Sequence, residues 1–507
     1  MTALNPNGNP IRVGQLTLRT PGLAGEATAL PPQSGAGTRS GQLTTPALEQ
    51  ALAASNVQVQ HVVEIAQTRE VPSPAAPTRT TSYGEPAVVL EVPNPGSGWG
   101  QVVLYTDESG VLTWNFARTA DNAVDTSRGQ ATLTYVVPRY VAPSAPATES
   151  RGLAGLLGSK ILKVLVFPLV EREIGTIGDF FVARWEEKNR PYRVRSFTPE
   201  NYRSGDVAPL DSAAWASLSN GRALLMVHGT GSQSHTGFGS LPADYVRLLN
   251  SKYDGRVFAF DQITLSQDPF QNVEWLLSKM PEDAKLDLDI ICHSRGGLVS
   301  RVLAERQANL RLGGRQISVG NVVFVAAPNA GTILSDAKYL GDYIDSWTNL
   351  LNFFPTNGVV DVLQVLITLV KQVAVGAFQG LDGLESMLPK GDFLAKLNAG
   401  QKTTTNYFAL ASDYGPSNAG LEAWAKSRLL DNIFKEKNDL IVPTAGVYDQ
   451  NGNQDFPITN RYVFSPADGV SHSEYFGNGV AREKIAEWLF AEPAASTPRG
   501  GETQAGQ

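Results

Sequence analysis

The stretch Leu288-Asp289-Ile290-Ile291-Cys292-His293-Ser294-Arg295-Gly296-Gly297 constrains this chain more than any other. An apolar, strand-like run ends at His293-Ser294, and a helical pattern over Gly296–Arg306 follows at once. A strand that turns sharply into a helix brings two backbones close together, so the residues two before and two after Ser294 have to be small. Gly296 meets that demand, and Cys292 is compact enough to stand where glycine is more usual. A serine at such an apex is held in a strained conformation with its hydroxyl lifted above the sheet, the setting of a nucleophile. Cys292 points into the core instead, where a thiol behaves as a small hydrophobe, so it is not the expected nucleophile.

A nucleophilic serine needs a general base, and the base needs an orienting carboxylate. The chain has 5 histidines: His61, His228, His235, His293 and His472. Only His472 follows Ser294 at a useful distance, in the loop Asp468-Gly469-Val470-Ser471-His472-Ser473. Three carboxylates are candidates for the acid: Asp439 in Asn438-Asp439-Leu440-Ile441-Val442-Pro443, Asp413 just past the strand Tyr407–Ala411, and, more remotely, Asp468. Acyl transfer also develops charge on a carbonyl oxygen, which two aimed backbone N–H groups stabilise. The candidates are Arg295, directly after the serine, and Thr230, after the apolar strand Ala223–His228. His228 then shapes that loop and does not act as a base.

The rest of the chain alternates strands and helices. Strands are expected at Ala223–His228, Val257–Asp261, Leu288–Cys292, Val322–Ala326, Tyr407–Ala411 and Tyr462–Phe464, and helices at Phe270–Lys279, Gly296–Arg306 and Val480–Phe490. This is the α/β pattern of a mostly parallel sheet covered on both faces. Upstream, Val57–Ile65, Ala87–Val92, Gly100–Thr106, Val111–Ala117 and Ala131–Val137 are rich in β-branched and aromatic residues with turn residues between several of them. They read as a smaller all-β domain at residues 51–141. Residues 1–50, rich in Gly, Pro, Ser and Thr, are expected to be disordered or loosely attached, 142–152 to be a linker, and 494–507 a flexible tail. The α/β domain is expected over 153–493, beginning with helical patterning from Leu153 to about Lys188.

Among the 507 residues there is 1 Cys, which excludes an intramolecular disulfide. A net charge of −7 and the absence of clustered Lys and Arg argue against nucleic acid. Leu153–Val170 and Val359–Phe378 are apolar but carry Lys160 and Lys163, and Asp361 and Lys371, so both read as core or amphipathic helices and not as membrane spans. The N-terminus lacks a basic start followed by an apolar run, so no signal peptide is read and the cytoplasm is the expected location. No metal cluster or cofactor motif is visible, and neither is expected to be needed.

At these residues the chain resembles the lipase and esterase branch of the α/β-hydrolases. The likeness rests on His228-Gly229, on His293-Ser294-Arg295-Gly296-Gly297, and on Ala327-Pro328-Asn329-Ala330-Gly331-Thr332, similar to a Pro-His-x-Gly-Thr loop with Asn329 in the histidine place. Asn438–Pro443 looks like an Asp-Gly-x-Val-Pro acid loop with Leu440 where glycine is usual, and Leu388–Leu394 is similar to a segment that follows the lids of these enzymes. The resemblance covers about Arg222 to Phe490 and stops short of the β-rich part. It implies an α/β-hydrolase fold and a carboxylic ester hydrolase with Ser294 as nucleophile, Asp439 as acid, His472 as base, and Thr230 and Arg295 as oxyanion donors. Some lipases of this kind also hold a structural Ca²⁺.

The insertion at about 333–400 fits either a helical lid over an acyl-binding cleft or extra helices packed on the sheet. The expected partner is a small-molecule or lipid ester, with contact to a lipid surface through the lid, and the β domain is a candidate to bind a further partner. The same triad serves an amidase, a peptidase or an acyltransferase, and an inert hydrolase domain on a binding or scaffold protein is the alternative of another class.

Overall fold

The computed structural model describes residues 1–32, 45–72, 87–107, 110–117, 132–138, 160–171, 175–176, 181–332, 340–355, 358–399, 404–415, 436–450, 458 and 460–490. The expected linker and C-terminal tail lie outside these residues, as do 333–339, 356–357 and 400 of the expected lid.

Ten strands precede residue 169: β1 (Thr2–Ala3), β2 (Ile11–Val13), β3 (Leu16–Arg19), β4 (Leu23–Leu30), β5 (Gln58–Glu70), β6 (Ala87–Pro93), β7 (Trp99–Thr106), β8 (Leu112–Asn115), β9 (Thr132–Pro138) and β10 (Lys160–Pro168). They form a six-stranded antiparallel sheet, β1-β4-β5-β10-β7-β8, and a four-stranded one, β2-β3-β6-β9. Helix α1 (Pro46–Ala54) lies between β4 and β5, capped by the Thr45 side chain. The two sheets share a buried cluster in which Leu16, Leu18, Leu90 and Val137 meet Val63, Val103, Leu162 and Val164.

Residues 1–32 and 45–50, within the segment expected to be disordered or loosely attached, supply four strands and the start of a helix. β3 and β4 pair with β6 and β5, which lie far along the chain. The helix expected from Leu153 is replaced, over Lys160–Pro168, by β10, which pairs β5 and β7. Buried on both faces, β10 is apolar apart from Lys160 and Lys163 and does not alternate, so periodicity alone cannot separate it from a buried helix. Its place in the six-stranded sheet puts residues beyond 153 on the β-rich side of the expected domain boundary.

A short ribbon, β11 (Val170–Glu171) with β12 (Gly175–Thr176), and helix α2 (Phe181–Asn189) lead into the main sheet. Its strands are β13 (Arg193–Ser196), β14 (Arg222–Val227), β15 (Val257–Asp261), β16 (Lys285–His293), β17 (Gln316–Val325), β18 (Asn406–Ser412) and β19 (Asn460–Phe464). The order is β13-β15-β14-β16-β17-β18-β19, with β13 antiparallel and every other pairing parallel. Between the strands lie α3 (Ser212–Leu218), α4 (Ser234–Gly237), α5 (Ala243–Lys252), α6 (Pro269–Lys279), α7 (Gly296–Glu305), α8 (Leu340–Phe353) and α9 (Val359–Ala374). Alternation along each strand sorts the two faces. Leu225, Val227, Ile290 and Cys292 pack with α6, α7, α8 and α9. Leu224, Met226, Ile291 and Val323 pack with α5 and the C-terminal helix Gly479–Phe490.

Alternation along β7 and β10 joins the two halves of the molecule. Val103 and Val164 face the four-stranded sheet, while Val102, Leu104, Leu165 and Phe167 enter the same buried cluster as α8, α9 and the main sheet. The edge strand β8 is bound from outside by α8. The Asn349 amide donates to the Leu112 carbonyl at 2.7 Å and accepts from the Leu112 N–H at 2.8 Å, so one side chain replaces a neighbouring strand. Asp345 accepts from the Trp114 N–H at 2.7 Å, and the Trp114 indole donates to Thr348 at 3.0 Å. Among the described residues no helix is long and apolar enough to cross a membrane.

Asn349→Ala strands a buried backbone donor and a buried acceptor, so it is expected to lower the unfolding free energy by about 2–4 kcal/mol. Asn349→Asp, which keeps the acceptor but sets a carboxylate oxygen against the Leu112 carbonyl in a buried place, should lose at least as much. Urea denaturation of both variants checks the pair.

Candidate active site

Ser294 sits where the last residue of β16 meets α7, with φ +52°, a conformation uncommon for a residue with a side chain. The close approach that imposes it is visible at the glycines. A Cβ on Gly296 would stand 2.5 Å from the Val227 carbonyl and 2.6 Å from that of His228, and one on Gly297 would stand 2.4 Å from the Ala327 Cβ. On the opposite side a Cβ on Gly229 would lie 2.7 Å from the Ser294 Cβ, so the loop after β14 runs directly against the serine. Cys292 is fully buried, its thiol donates to the Val323 carbonyl, and burial pushes its pKa up to about 12. That leaves it neither ionised nor accessible.

His472 and Asp439 come together from two loops. The imidazole Nδ1 lies 2.8 Å from Asp439 Oδ2, and the His472 N–H donates to the Asp439 carbonyl at 3.0 Å. Asp439 Oδ1 accepts from the N–H groups of Ile441 and Val442, and Oδ2 from the Tyr475 hydroxyl at 3.1 Å. The carboxylate is thus held on every side, and a carboxylate on Nδ1 leaves Nε2 as the nitrogen able to take a proton. His472 Nε2 is buried with no hydrogen-bond partner. His293, which precedes the serine, donates from Nε2 to the His472 carbonyl at 3.0 Å, with the two rings 4.8 Å apart. This contact ties the histidine loop to the serine turn.

The other carboxylates are engaged elsewhere. Asp413 pairs with Lys437 at 2.8 Å, and Asp468 accepts from the N–H and hydroxyl of Ser465. The acid loop turns at Leu440, whose φ of +86° is one that glycine adopts without strain. A hydrogen bond from the Leu440 N–H to Asn438 Oδ1 supports the turn in glycine's absence. Thr332 ties the Ala327–Thr332 loop to the acid loop through the Ile441 carbonyl, and Asn329 donates to the Val447 carbonyl.

Thr230 and Arg295 flank the serine turn. The Arg295 side chain faces away from it and is fully buried, donating to the carbonyls of Gly383 and Gln267 and to Asn272 Oδ1. Around Thr230 the loop is braced by residues that sequence reasoning missed. Arg190 donates to the Gly231 carbonyl at 2.6 Å and to the Asp361 carbonyl on α9, and Thr264 accepts from the Gly231 N–H. Glu186 in turn accepts from the N–H groups of Thr264, Leu265 and Ser266. Both residues lie on or just beyond α2, where a sequence shows only charges on a short amphipathic helix. His228 accepts from the Gln262 N–H on Nε2 and donates to the Gly229 carbonyl from Nδ1, a purely supporting pattern.

The site is covered. Ser294 is 2% exposed and His472 0%, and the Trp347 ring of α8 meets the His472 ring edge-on at 5.5 Å. Among the described residues no group of three His, Cys, Asp or Glu could hold a metal ion.

Burial lowers the pKa of His228 to about 4 and that of His293 to about 3. The folded chain therefore keeps both neutral, while the unfolded chain takes up protons from about pH 6.5 downward. Their contribution to stability is complete above pH 6.5 and declines as pH falls toward the folded values, with unfolding drawing in up to about two protons from these histidines. Urea unfolding at pH 7.5, 6.5, 5.5 and 5.0 should show this loss, and His228→Gln should remove about half of the slope.

No curated protein matches the chain. Among solved structures, lipase 1 from Pelosinus fermentans is 15% identical, covering 53% of this chain and 98% of its own, at a TM-score of 0.37. The Staphylococcus hyicus lipase is 12% identical over 54% of this chain and 96% of its own, at 0.34. A putative alpha/beta hydrolase family protein from Desulfitobacterium hafniense is 18% identical over 54% and 96%, at 0.29. A family model described as "Domain of unknown function (DUF7379)" matches residues 189–490, from just before β13 to the end of the last helix. That span is more than half of the sequence, and the chain belongs to this family of unknown function.

Proposed function

We propose that this chain is a serine hydrolase of the α/β-hydrolase type that cleaves carboxylic esters through an acyl-enzyme on Ser294. The observation that carries the reading is the buried Asp439–His472 pair at 2.8 Å, tied through His293 to a serine held at positive φ. Strand order with an antiparallel β13, and the order serine, acid, histidine along the chain, support it further.

In this reading Ser294 Oγ attacks the ester carbonyl carbon while its proton passes to His472 Nε2. The charge that forms on the carbonyl oxygen is met by the backbone N–H groups of Thr230 and Arg295. Collapse of the intermediate breaks the carbon–oxygen bond, and the alcohol leaves with the proton from His472. Water then attacks the acyl-enzyme through the same base, freeing the acid and restoring the serine. Asp439 fixes the tautomer and orientation of the imidazole and stabilises its protonated form. Helices α8 and α9 serve as a cap over an acyl site for an apolar ester. The sheets built from β1–β10 form an accessory module.

Fluorophosphonate labelling of the full chain, mapped by mass spectrometry, tests this directly. The label is expected on Ser294, and folded protein that stays unlabelled removes the reading. Ser294→Ala should lower turnover of p-nitrophenyl esters by about 10⁴–10⁶-fold with the thermal midpoint unchanged. A matched set of amides distinguishes an esterase from an amidase with the same triad.

A further inference from the structure

Helix α8 brings two polar groups to the site that no hydrogen bond uses. Tyr343 and Trp347, one turn apart, are 1% and 6% exposed with ring centres 6.3 Å from each other. The Tyr343 hydroxyl and the Trp347 indole N–H are both buried without a partner, as is His472 Nε2 beside them. Trp347 lies toward the histidine, and Tyr343 toward the loop after β14. The Thr230 hydroxyl, which donates to Met387 Sδ at 3.9 Å, and the Trp347 N–H lie beside the phenol, neither closing to a hydrogen bond with it.

The phenol hydroxyl closes no hydrogen bond, so its proton is left without an acceptor. A phenylalanine would fill the same volume without the cost of burying an unmatched hydroxyl. Burial raises the phenol above its ordinary range, so the proton stays on it at neutral pH. The buried guanidinium of Arg295 contributes positive potential to the same corner.

We infer that Tyr343 is a third oxyanion donor, its O–H delivered by α8 to the acyl oxygen as that oxygen becomes tetrahedral beside Thr230. The inference rests on the serine-hydrolase reading and adds a catalytic residue to it. It also changes what the covering helix is for. With α8 anchored on β8 by Asn349 and Asp345, the carbonyl oxygen meets this donor while the helix stays seated.

Tyr343→Phe in the full chain tests this, with p-nitrophenyl butyrate as substrate and rates expressed per active site titrated to completion with fluorophosphonate. Removal of one oxyanion donor is expected to lower kcat by about 10²-fold with KM changed less than about threefold. A butyl trifluoromethyl ketone, which adds the serine to form a charged tetrahedral adduct, should lose affinity by a similar factor. The corresponding methyl ketone, which gains little from such an adduct, should bind as before. A merely structural role would weaken both ketones alike and lower the thermal midpoint. Wild-type kcat in Tyr343→Phe, or equal losses for the two ketones, overturns the inference while an inactive Ser294→Ala leaves the hydrolase intact. Absence of both hydrolysis and labelling in the parent chain overturns the two together.

Discussion

Everything at the site depends on how closely the start of α7 approaches the end of β14. The backbone carbonyls of Val227 and His228 occupy the space that a side chain on Gly296 would need. This contact forces the turn at Ser294 into its left-handed conformation and presses Gly229 against the serine. Ser294 and the loop after β14 are therefore positioned by one packing event. The strain at Ser294 is sustained by the core around it, since β16 is the central strand of the main sheet and α7 is buried along nearly its whole length.

A second layer of buried polar groups holds what packing alone leaves free. Glu186 gathers three successive N–H groups, Arg190 links the loop after β14 to α9, and Arg295 reaches behind the serine turn to three further segments. Buried charges of this kind are costly unless every donor and acceptor is matched. Here most of the partners are backbone groups of loops, which would otherwise have no regular structure to fix them. The result is that the loop after β14 is fixed in place, which is what the proposed oxyanion role asks of it.

What could be read in the sequence and what could not follow from the range of the forces involved. The serine turn was legible because its constraint is local: Cys292, Ser294, Gly296 and Gly297 must each satisfy a neighbour within a few residues. The strands of the main sheet from β14 onward were legible for the same reason, as apolar runs bounded by turns. Asp439 and Asp413 could not be separated by chemistry, since both lie in loops beyond neighbouring strands. Only the fold puts one against His472 and the other against Lys437. Strands β1–β4 were missed because their stability is non-local, and β10 because burial on both faces erased its alternation. Tyr343, Glu186 and Arg190 carry no sequence signal, because a buried polar side chain on or beside a helix looks the same as a solvated one until the helix is docked.

The pairing of Asn349 with Leu112 has a consequence beyond holding two parts together. An outermost strand ordinarily displays unused N–H and C=O groups that invite a foreign chain to add itself. On β8 the backbone groups of Leu112 and the N–H of Trp114 are already taken by side chains of α8, and at the far side of the same sheet β1 is only two residues long. At the β8 edge the sheet therefore offers little template for fibrillar growth or strand exchange.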